Sequence, residues 1–177
     1  MNNIYDIKIV DGAETVTLTT AKEWLRVTSD DENDLITDLI TIARKRVETY
    51  SSRSVISKRV TLTAFLDTTI PLPYAPILNI VSVKFLQGQI INTGANDWDT
   101  LDADEYMTIG FNDKHFKPYK AGIYEIVYNT NDNDDLGLKM DLKRVLLWMY
   151  ENRGDDTDAI PLELFSNAKT SKVLSWV

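Results

Sequence analysis

The segment 132–137, Asp-Asn-Asp-Asp-Leu-Gly, is the part of the sequence that comes nearest to a metal site. Calcium loops place oxygen ligands at positions 1 and 3 and a glycine at position 6, and this segment meets that spacing. Position 5 is Leu136, however, and position 12, where a bidentate glutamate is needed, is Lys143. The pattern therefore predicts a solvated linker that ends in a helix cap, and no metal site.

His115 is the only histidine, and it lies between Lys114 and Lys117. No nucleophile elbow and no metal-ligand spacing gives it a partner, so we expect a surface-loop histidine and no catalytic residue. Carboxylates are abundant, which leaves an Asp/Glu hydrolase as a rival interpretation. A cleft that holds two carboxylates with raised pKa values would favour that rival.

The basic run Arg44-Lys45-Arg46 could contact phosphate, but it falls inside a predicted helix that opens with acidic residues. Its simplest interpretation is the polar stripe of an amphipathic helix. The sequence also has no glycine-rich loop that would cradle a phosphate or a dinucleotide. We therefore predict no cofactor.

Composition excludes several further classes of protein. The 177 residues contain no cysteine, which removes disulfide scaffolds and thiolate zinc sites. With 19 Lys and Arg against 27 Asp and Glu, the net charge is −8, which argues against tight binding of duplex DNA. The start of the chain does not resemble a signal peptide, and the longest apolar run, 145–150, is too short to cross a membrane, so no membrane partner is expected.

Two capping boxes predict the first helices. Thr20 with Glu23 predicts a short helix to about Val27, and Ser29 with Glu32 predicts a long helix to about Ser51. A third helix is expected to about Asn152, with a last short one near 161–167. The long helix carries two neighbouring apolar stripes, namely Ile36, Ile40, Ala43, Val47 and Tyr50, and Leu35, Leu39 and Ile42. So wide an apolar surface indicates either a partner or a larger internal core, and patterning alone favours neither.

Alternating patterns predict strands at 55–66, 81–85 and 122–128, with a weaker one at 106–109 and a surface excursion over 87–105. The predicted fold class is α+β and mostly helical, with long packed helices and a small inserted antiparallel β lobe. We expect one domain over 1–177. Its helical part covers about 18–52 and 136–153, its β lobe about 55–128 and its C-terminal tail about 159–177.

The order of several segments resembles the head-tail connector, or head-completion adaptor, family of tailed bacteriophages. The similarity covers about 16–153, and it depends on the order and spacing of the segments because each alone is of low specificity. These segments are Leu18-Thr-Thr-Ala-Lys-Glu-Trp-Leu-Arg-Val27, Ser29-Asp-Asp-Glu32, the helix 35–50, Tyr50-Ser-Ser-Arg-Ser-Val-Ile56, Ile70-Pro-Leu-Pro73, Pro76-Ile-Leu-Asn-Ile-Val-Ser-Val83 and Leu146-Leu-Trp-Met-Tyr-Glu-Asn-Arg153.

The resemblance implies a structural virion protein rather than an enzyme. It implies a ring, twelve-fold on the portal, whose subunit can stay monomeric alone and which joins the portal of the head to the tail or a stopper protein. DNA would pass through the extended channel without tight binding. The expected location is the virion neck, after assembly in the cytoplasm of the bacterial host. A tail-side neck component is the alternative within the same structural class.

Two sets of residues are predicted to make contacts. Ring contacts are assigned to apolar side chains of the second and third helices, namely Leu39, Ile42, Leu147 and Trp148. Portal docking is assigned to the apolar end of the chain, with Leu174, Trp176 and Val177 as anchors, because tryptophan is a favoured anchor at interfaces.

Overall fold

The computed structural model describes residues 2–86, 99–100, 107–110, 113–118, 120–130, 135–153 and 160–170. The chain divides into two compact units, each built from segments that are distant in sequence. A sheet unit contains the described residues of 2–12 and 57–130, and a helical unit contains those of 13–56 and 135–170. The expectation of one connector domain over 1–177 stays a prediction.

The sheet unit contains eight described strands. They are Asn3–Asp11 (β1), Lys58–Leu66 (β2), Ile70–Pro71 (β3), Ile77–Phe85 (β4), Asp99–Thr100 (β5), Met107–Gly110 (β6), Asp113–Phe116 (β7) and Gly122–Thr130 (β8). The main sheet has the order β1-β2-β8-β4-β5 and the smaller one the order β3-β7-β6, and every pairing is antiparallel. The central strand β8 is paired on both sides over almost its whole length.

One face of the main sheet forms an apolar core. Strand β8 alternates strictly, with Tyr124, Ile126 and Tyr128 buried and the residues between them half-buried. The Tyr124 ring meets Phe85 and Phe116 edge to face, at centroid distances of 5.1 and 5.3 Å. Such aromatic contacts add to the apolar area that this face removes from water.

The described part of the helical unit contains four helices and one 3₁₀ turn. The helices are Leu18–Leu25 (α1), Asn33–Ser51 (α2), Leu136–Glu151 (α3) and Ser166–Thr170 (α4), and the turn is Leu162–Phe165. Buried apolar residues of α1, α2 and α3 form a second core, and the Tyr50 ring stacks on Phe165 at 4.7 Å.

The caps differ from those that the sequence indicates. Thr17, rather than Thr20, is the N-cap of α1, and its side chain accepts a hydrogen bond from the Thr20 backbone N–H. Glu32 precedes α2 without a side-chain cap bond, because its carboxylate is engaged by α3. At α3, Asp135 is the N-cap, as the sequence predicts.

The prediction of a mostly helical protein with long packed helices and a small β lobe is wrong. Strands and helices take similar shares of the described residues, and the antiparallel sheet is a full unit with its own core. The main omission is β1, where Ile4 and Ile7 pack against the sheet core while Ile9 is 39% exposed. A β-bulge between Ile4 and Asp6 interrupts the alternation of this strand, which hides it from pattern analysis.

Candidate interaction surfaces

A buried network of charges and hydrogen bonds fixes the helical unit around α2. The Arg44 guanidinium donates through Nε to Glu14 at 2.9 Å and through Nη1 to Glu48 at 2.8 Å. Glu48 accepts a further hydrogen bond from the Val55 backbone N–H at 2.9 Å. The network thus joins α2 to the segment that precedes α1 and to the segment that follows α2 in the sequence. Arg44 does not lie on a polar stripe, as the sequence suggests, because it is 1% exposed while Lys45 and Arg46 are exposed.

With Arg44 buried, a different side of α2 meets solvent, and we call it the α2 face. Its apolar members are Leu35 and Ile42, which are 39% and 41% exposed. Asp34 and Asp38 flank them and are exposed. The first half of the α2 face is therefore an apolar stripe with an acidic border, and the exposed Lys45 and Arg46, one turn beyond Ile42, give its second half a basic border.

A second exposed stripe lies on α3, and we call it the α3 face. Leu136 and Met140 are 77% and 38% exposed, one helical turn apart, and Lys143 continues the stripe. The Lys143 ammonium lies 5.5 Å from the ring centroid of Trp24, which is 37% exposed on α1. Lys139 and Arg144 border the stripe, so the α3 face is apolar with a basic border.

Asp141 holds the last described helix against α3. Its side chain is fully buried, and its two oxygens accept hydrogen bonds from the Asn167 side chain and the Ala168 backbone N–H, both at 2.7 Å. A Cβ at Gly137 would lie 2.9 Å from Cβ of Asn167, so glycine is what allows α4 to approach so closely. The glycine that suggests a calcium loop in the sequence therefore has a packing role.

A polar cluster ties the start of α2 to the end of α3. Tyr150 donates its hydroxyl hydrogen to Glu32 at 2.5 Å, and Arg153 pairs with the same carboxylate at 2.7 Å. These partners, Tyr150 foremost, lower the pKa of Glu32 below its ordinary value of 4.5. The Lys22 ammonium, 2.6 Å away, likewise lowers the pKa of Asp30. A general acid needs the opposite shift, so neither carboxyl suits the general-acid role in a hydrolase.

The sheet unit has a shallow depression of about 370 Å³ at one end of its long strands. Val10 and Leu78 line it and are 68% and 57% exposed. Lys58 also lines it, and its ammonium pairs with Asp11 at 2.6 Å. The surface is open and mixed in character, and it gathers no set of groups that would do chemistry.

The structure places the predicted contact residues in different environments. Ile42 lies on the α2 face, whereas Leu39 beside it is only 8% exposed and packs in the helical core. Leu147 and Trp148 are half-buried on α3, and Leu147 packs against the same core. The portal-docking residues Leu174, Trp176 and Val177 lie outside the described residues.

The sequence patterns indicate only part of the two faces. Leu35 belongs to the second apolar stripe of α2, whereas no pattern marks Trp24, Leu136 or Met140 as contact residues. The predicted calcium-like segment and the excursion 87–105 fall largely outside the described residues. His115 lies half-buried in β7, not in a surface loop, and its backbone pairs with Pro71 and Thr108.

The family model described as "Phage gp6-like head-tail connector protein" matches residues 15–126. The chain belongs to this family. The predictions of a structural head-tail connector and of a place in the virion neck are therefore confirmed. A search of curated proteins finds no match to this connector.

Solved structures of similar fold extend the comparison over nearly the whole connector. One, from the "Neck of empty GTA particle computed with C6 symmetry", gives a TM-score of 0.72 at 13% identity and covers 96% of this chain and 97% of the other. Another, from the "Virion of native gene transfer agent (GTA) particle", gives 0.71 at 14% identity and covers 98% of both chains. A third, from the "Neck of native GTA particle computed with C12 symmetry", gives 0.64 at 13% identity, with 96% and 97% covered.

None of the described helices is both long and apolar enough to cross a membrane.

Proposed function

We propose that this connector is the subunit of an adaptor ring that joins the portal of a packaged head to the tail or to a stopper protein. The observation that carries the proposal is the fold shared over almost the full length of both chains with proteins of gene transfer agent particles. Two of those structures are of particle necks computed with six-fold and twelve-fold symmetry, which supports a ring of many copies, twelve in the proposal.

The proposed role is structural rather than enzymatic. The shifted carboxyl pKa values, those of Asp30 and Glu32, are both lowered by cationic or hydroxyl partners. The depression on the sheet unit is shallow and open. These features support a protein that works through its surfaces.

In the proposed ring, DNA passes the connector without being gripped. A chain with a net charge of −8 offers few contacts that release counterions from phosphate, so the channel wall should bind duplex DNA weakly at physiological salt. Rings that retained duplex DNA tightly at that salt would contradict this part of the proposal.

The portal contact is assigned to the end of the chain, with Leu174, Trp176 and Val177 as anchors. An exposed tryptophan and two aliphatic side chains gain on the order of 2–3 kcal/mol each when a partner buries them. A chain that lacks residues 173–177 should keep its melting temperature and lose its attachment to packaged heads. A truncated chain that melts many degrees lower, or one that still joins heads to tails, would overturn the assignment.

The decisive experiment removes the gene from the phage or gene transfer agent that encodes it. DNA-filled heads and separate tails should accumulate, and purified connector added to the extract should restore joined particles. Cosedimentation with isolated heads, and separately with isolated tails, distinguishes the portal side from the tail side. Normal joining without the connector would overturn the proposal.

A further inference from the structure

We infer that neighbouring copies of this connector bind each other through the α2 face of one copy and the α3 face of the next. The inference rests on the proposed ring and identifies the surfaces that build it. Leu35, Ile42, Asp34 and Asp38 form one side of the contact. Trp24, Leu136, Met140 and Lys143 form the other.

The first argument is that the two faces are exposed and apolar on helices that are already fully folded. The cores of α2 and α3 are complete without them, because Ile36, Ile40 and Val47 of α2 and Leu138, Leu142 and Val145 of α3 are all nearly inaccessible. The exposed leucine, isoleucine and methionine side chains are therefore surplus to the core. Exposed apolar stripes with a polar border mark contact surfaces.

The second argument identifies the occupant as another copy of the chain. The α2 face has two exposed carboxylates beside its apolar residues, and the α3 face has Lys143 in its stripe with Lys139 and Arg144 at its border. A chain of net charge −8 repels its copies unless opposite charges meet at the contact. The pairing of an acidic apolar stripe with a basic apolar stripe satisfies that condition.

The symmetry of a ring also favours a contact between two different faces. A ring requires heterologous contacts, in which two different surfaces of identical subunits meet and the rotation closes. The α3 face and the first half of the α2 face share no residue and differ in the sign of their charge, so each copy offers both halves of the contact. A contact of the α3 face with itself, or of the first half of the α2 face with itself, would bring like charges together.

The absence of cysteine from the chain allows a direct test by cross-linking. Ile42→Cys marks the α2 face and Met140→Cys marks the α3 face, and each introduces the only thiol in its variant. With a short bismaleimide, a mixture of the two variants should give a covalent dimer. The double variant should give a ladder that ends at the ring size, whereas each single variant should stay monomeric. The experiment is done with the full chain alone and with the full chain added to packaged heads that lack it.

The matched control places thiols on the sheet unit, where Val10→Cys and Leu78→Cys are more exposed than the marked positions. A ladder from that control pair as strong as the one from the marked pair would overturn the inference, as would a double variant that stays monomeric in both settings. Dimers from the single variants would also overturn it, since they indicate contacts of like faces.

Charge reversal tests the electrostatic half of the inference. Asp34→Lys with Asp38→Lys should lower the cross-linked yield at least tenfold, and Lys139→Glu with Lys143→Glu should do the same. A chain carrying all four changes should recover most of the yield, because the signs are again opposite. Lys8→Glu with Lys117→Glu makes the same change in net charge as Lys139→Glu with Lys143→Glu and serves as its control, and thermal melting of every variant verifies the fold.

The outcomes separate this inference from the proposed function. Particles that require the connector for joining, while the marked pair does not cross-link in them, leave the adaptor role in place and remove the α2–α3 contact. A ladder from the marked pair, together with normal joining of heads to tails without the connector, would keep the α2–α3 contact and remove the adaptor role.

Discussion

The sheet unit and the helical unit bury different kinds of polar group. Among the described residues of the sheet unit the buried polar side chains are Lys58 and Thr130, at strand ends, and Thr63, within β2, and all three strand positions are already paired. Among those of the helical unit they are Arg44, Glu48, Ser51, Ser54 and Asp141, and the ionic ones each hold a segment that has no ladder of its own. Backbone hydrogen bonds join each strand of a sheet to its neighbours. Irregular segments packed on helices have no such ladder, so side-chain hydrogen bonds and ion pairs hold them in place.

The comparison predicts that charges are more costly to remove from the helical unit than from the sheet unit. The largest effect is expected for Arg44→Met, because it removes the guanidinium that pairs with the buried Glu48. Breaking a buried pair in this way costs about 3–5 kcal/mol in the free energy of unfolding. Urea denaturation measures it, and Arg46→Met, at an exposed position of the same helix, should change stability by less than about 0.5 kcal/mol.

A smaller loss is expected at the anchor of the last described helix. Asp141→Asn keeps the shape of the side chain but replaces one of its two acceptor oxygens by an amide donor. Hydrogen bonds to charged groups contribute about 1.5–3 kcal/mol, so unfolding should become easier by roughly that amount. Hydrogen exchange should accelerate at the Ala168 amide, and Glu163→Gln on the neighbouring turn should leave that amide unchanged. An unaltered exchange rate would show that α4 is held by its apolar contacts alone.

Lys58, a buried cation of the sheet unit, tests whether the two units differ in this way. Lys58 pairs with Asp11, whose side chain is 34% exposed and can be rehydrated when its partner is lost. Lys58→Met should therefore cost about 1 kcal/mol, near the upper end for exposed pairs and well below the effect at Arg44. A loss as large as that of Arg44→Met would abolish the proposed difference between the two units.

The smallest effect concerns acid, and its sign follows from the lowered pKa of Glu32. A carboxyl with a lowered folded-state pKa contributes stability at pH values above its ordinary pKa of 4.5, and that contribution is lost as the pH falls through the folded-state value. Glu32→Gln should therefore flatten the dependence of the melting temperature on pH below about 4.5 and leave the curve near pH 7 parallel to that of the wild type. An unchanged acid limb would mean that Tyr150 and Arg153 do not stabilise this carboxylate.

The comparison also explains what sequence patterns could predict. The helices α2 and α3 and the strands β2, β4 and β8 follow from their periodicity, since each buries one regular stripe or face. The prediction that Arg44 lies on a polar stripe is wrong, because one buried arginine does not interrupt the apolar stripe of a helix. Only its contacts with Glu14 and Glu48 show that it is buried. Glu14 lies thirty residues from Arg44 along the chain, a separation that local patterns do not cover.

The candidate contact surfaces were predicted only in part. The second stripe of α2 left open whether it meets a partner or an internal core, and patterning could not separate the exposed Leu35 and Ile42 from the buried Leu39, because that depends on how α2 is covered. On α3, Leu136 and Met140 are equivalent to core positions in type and differ only in orientation. Burial is a property of the packed unit, so it becomes visible only with the fold.

The antiparallel pairing of β2 with β8 has a consequence for how a ribosome delivers this chain. Lys58 pairs with Thr130, and the core of the helical unit needs α3, which begins at Leu136, so each unit lacks an essential element until most of the chain has been made. During synthesis the apolar stripes of α1 and α2 therefore stay exposed to solvent until α3 has been made. A translation product that ends before β8 therefore completes neither core and carries no α3 face, which is one half of the contact that we infer between copies.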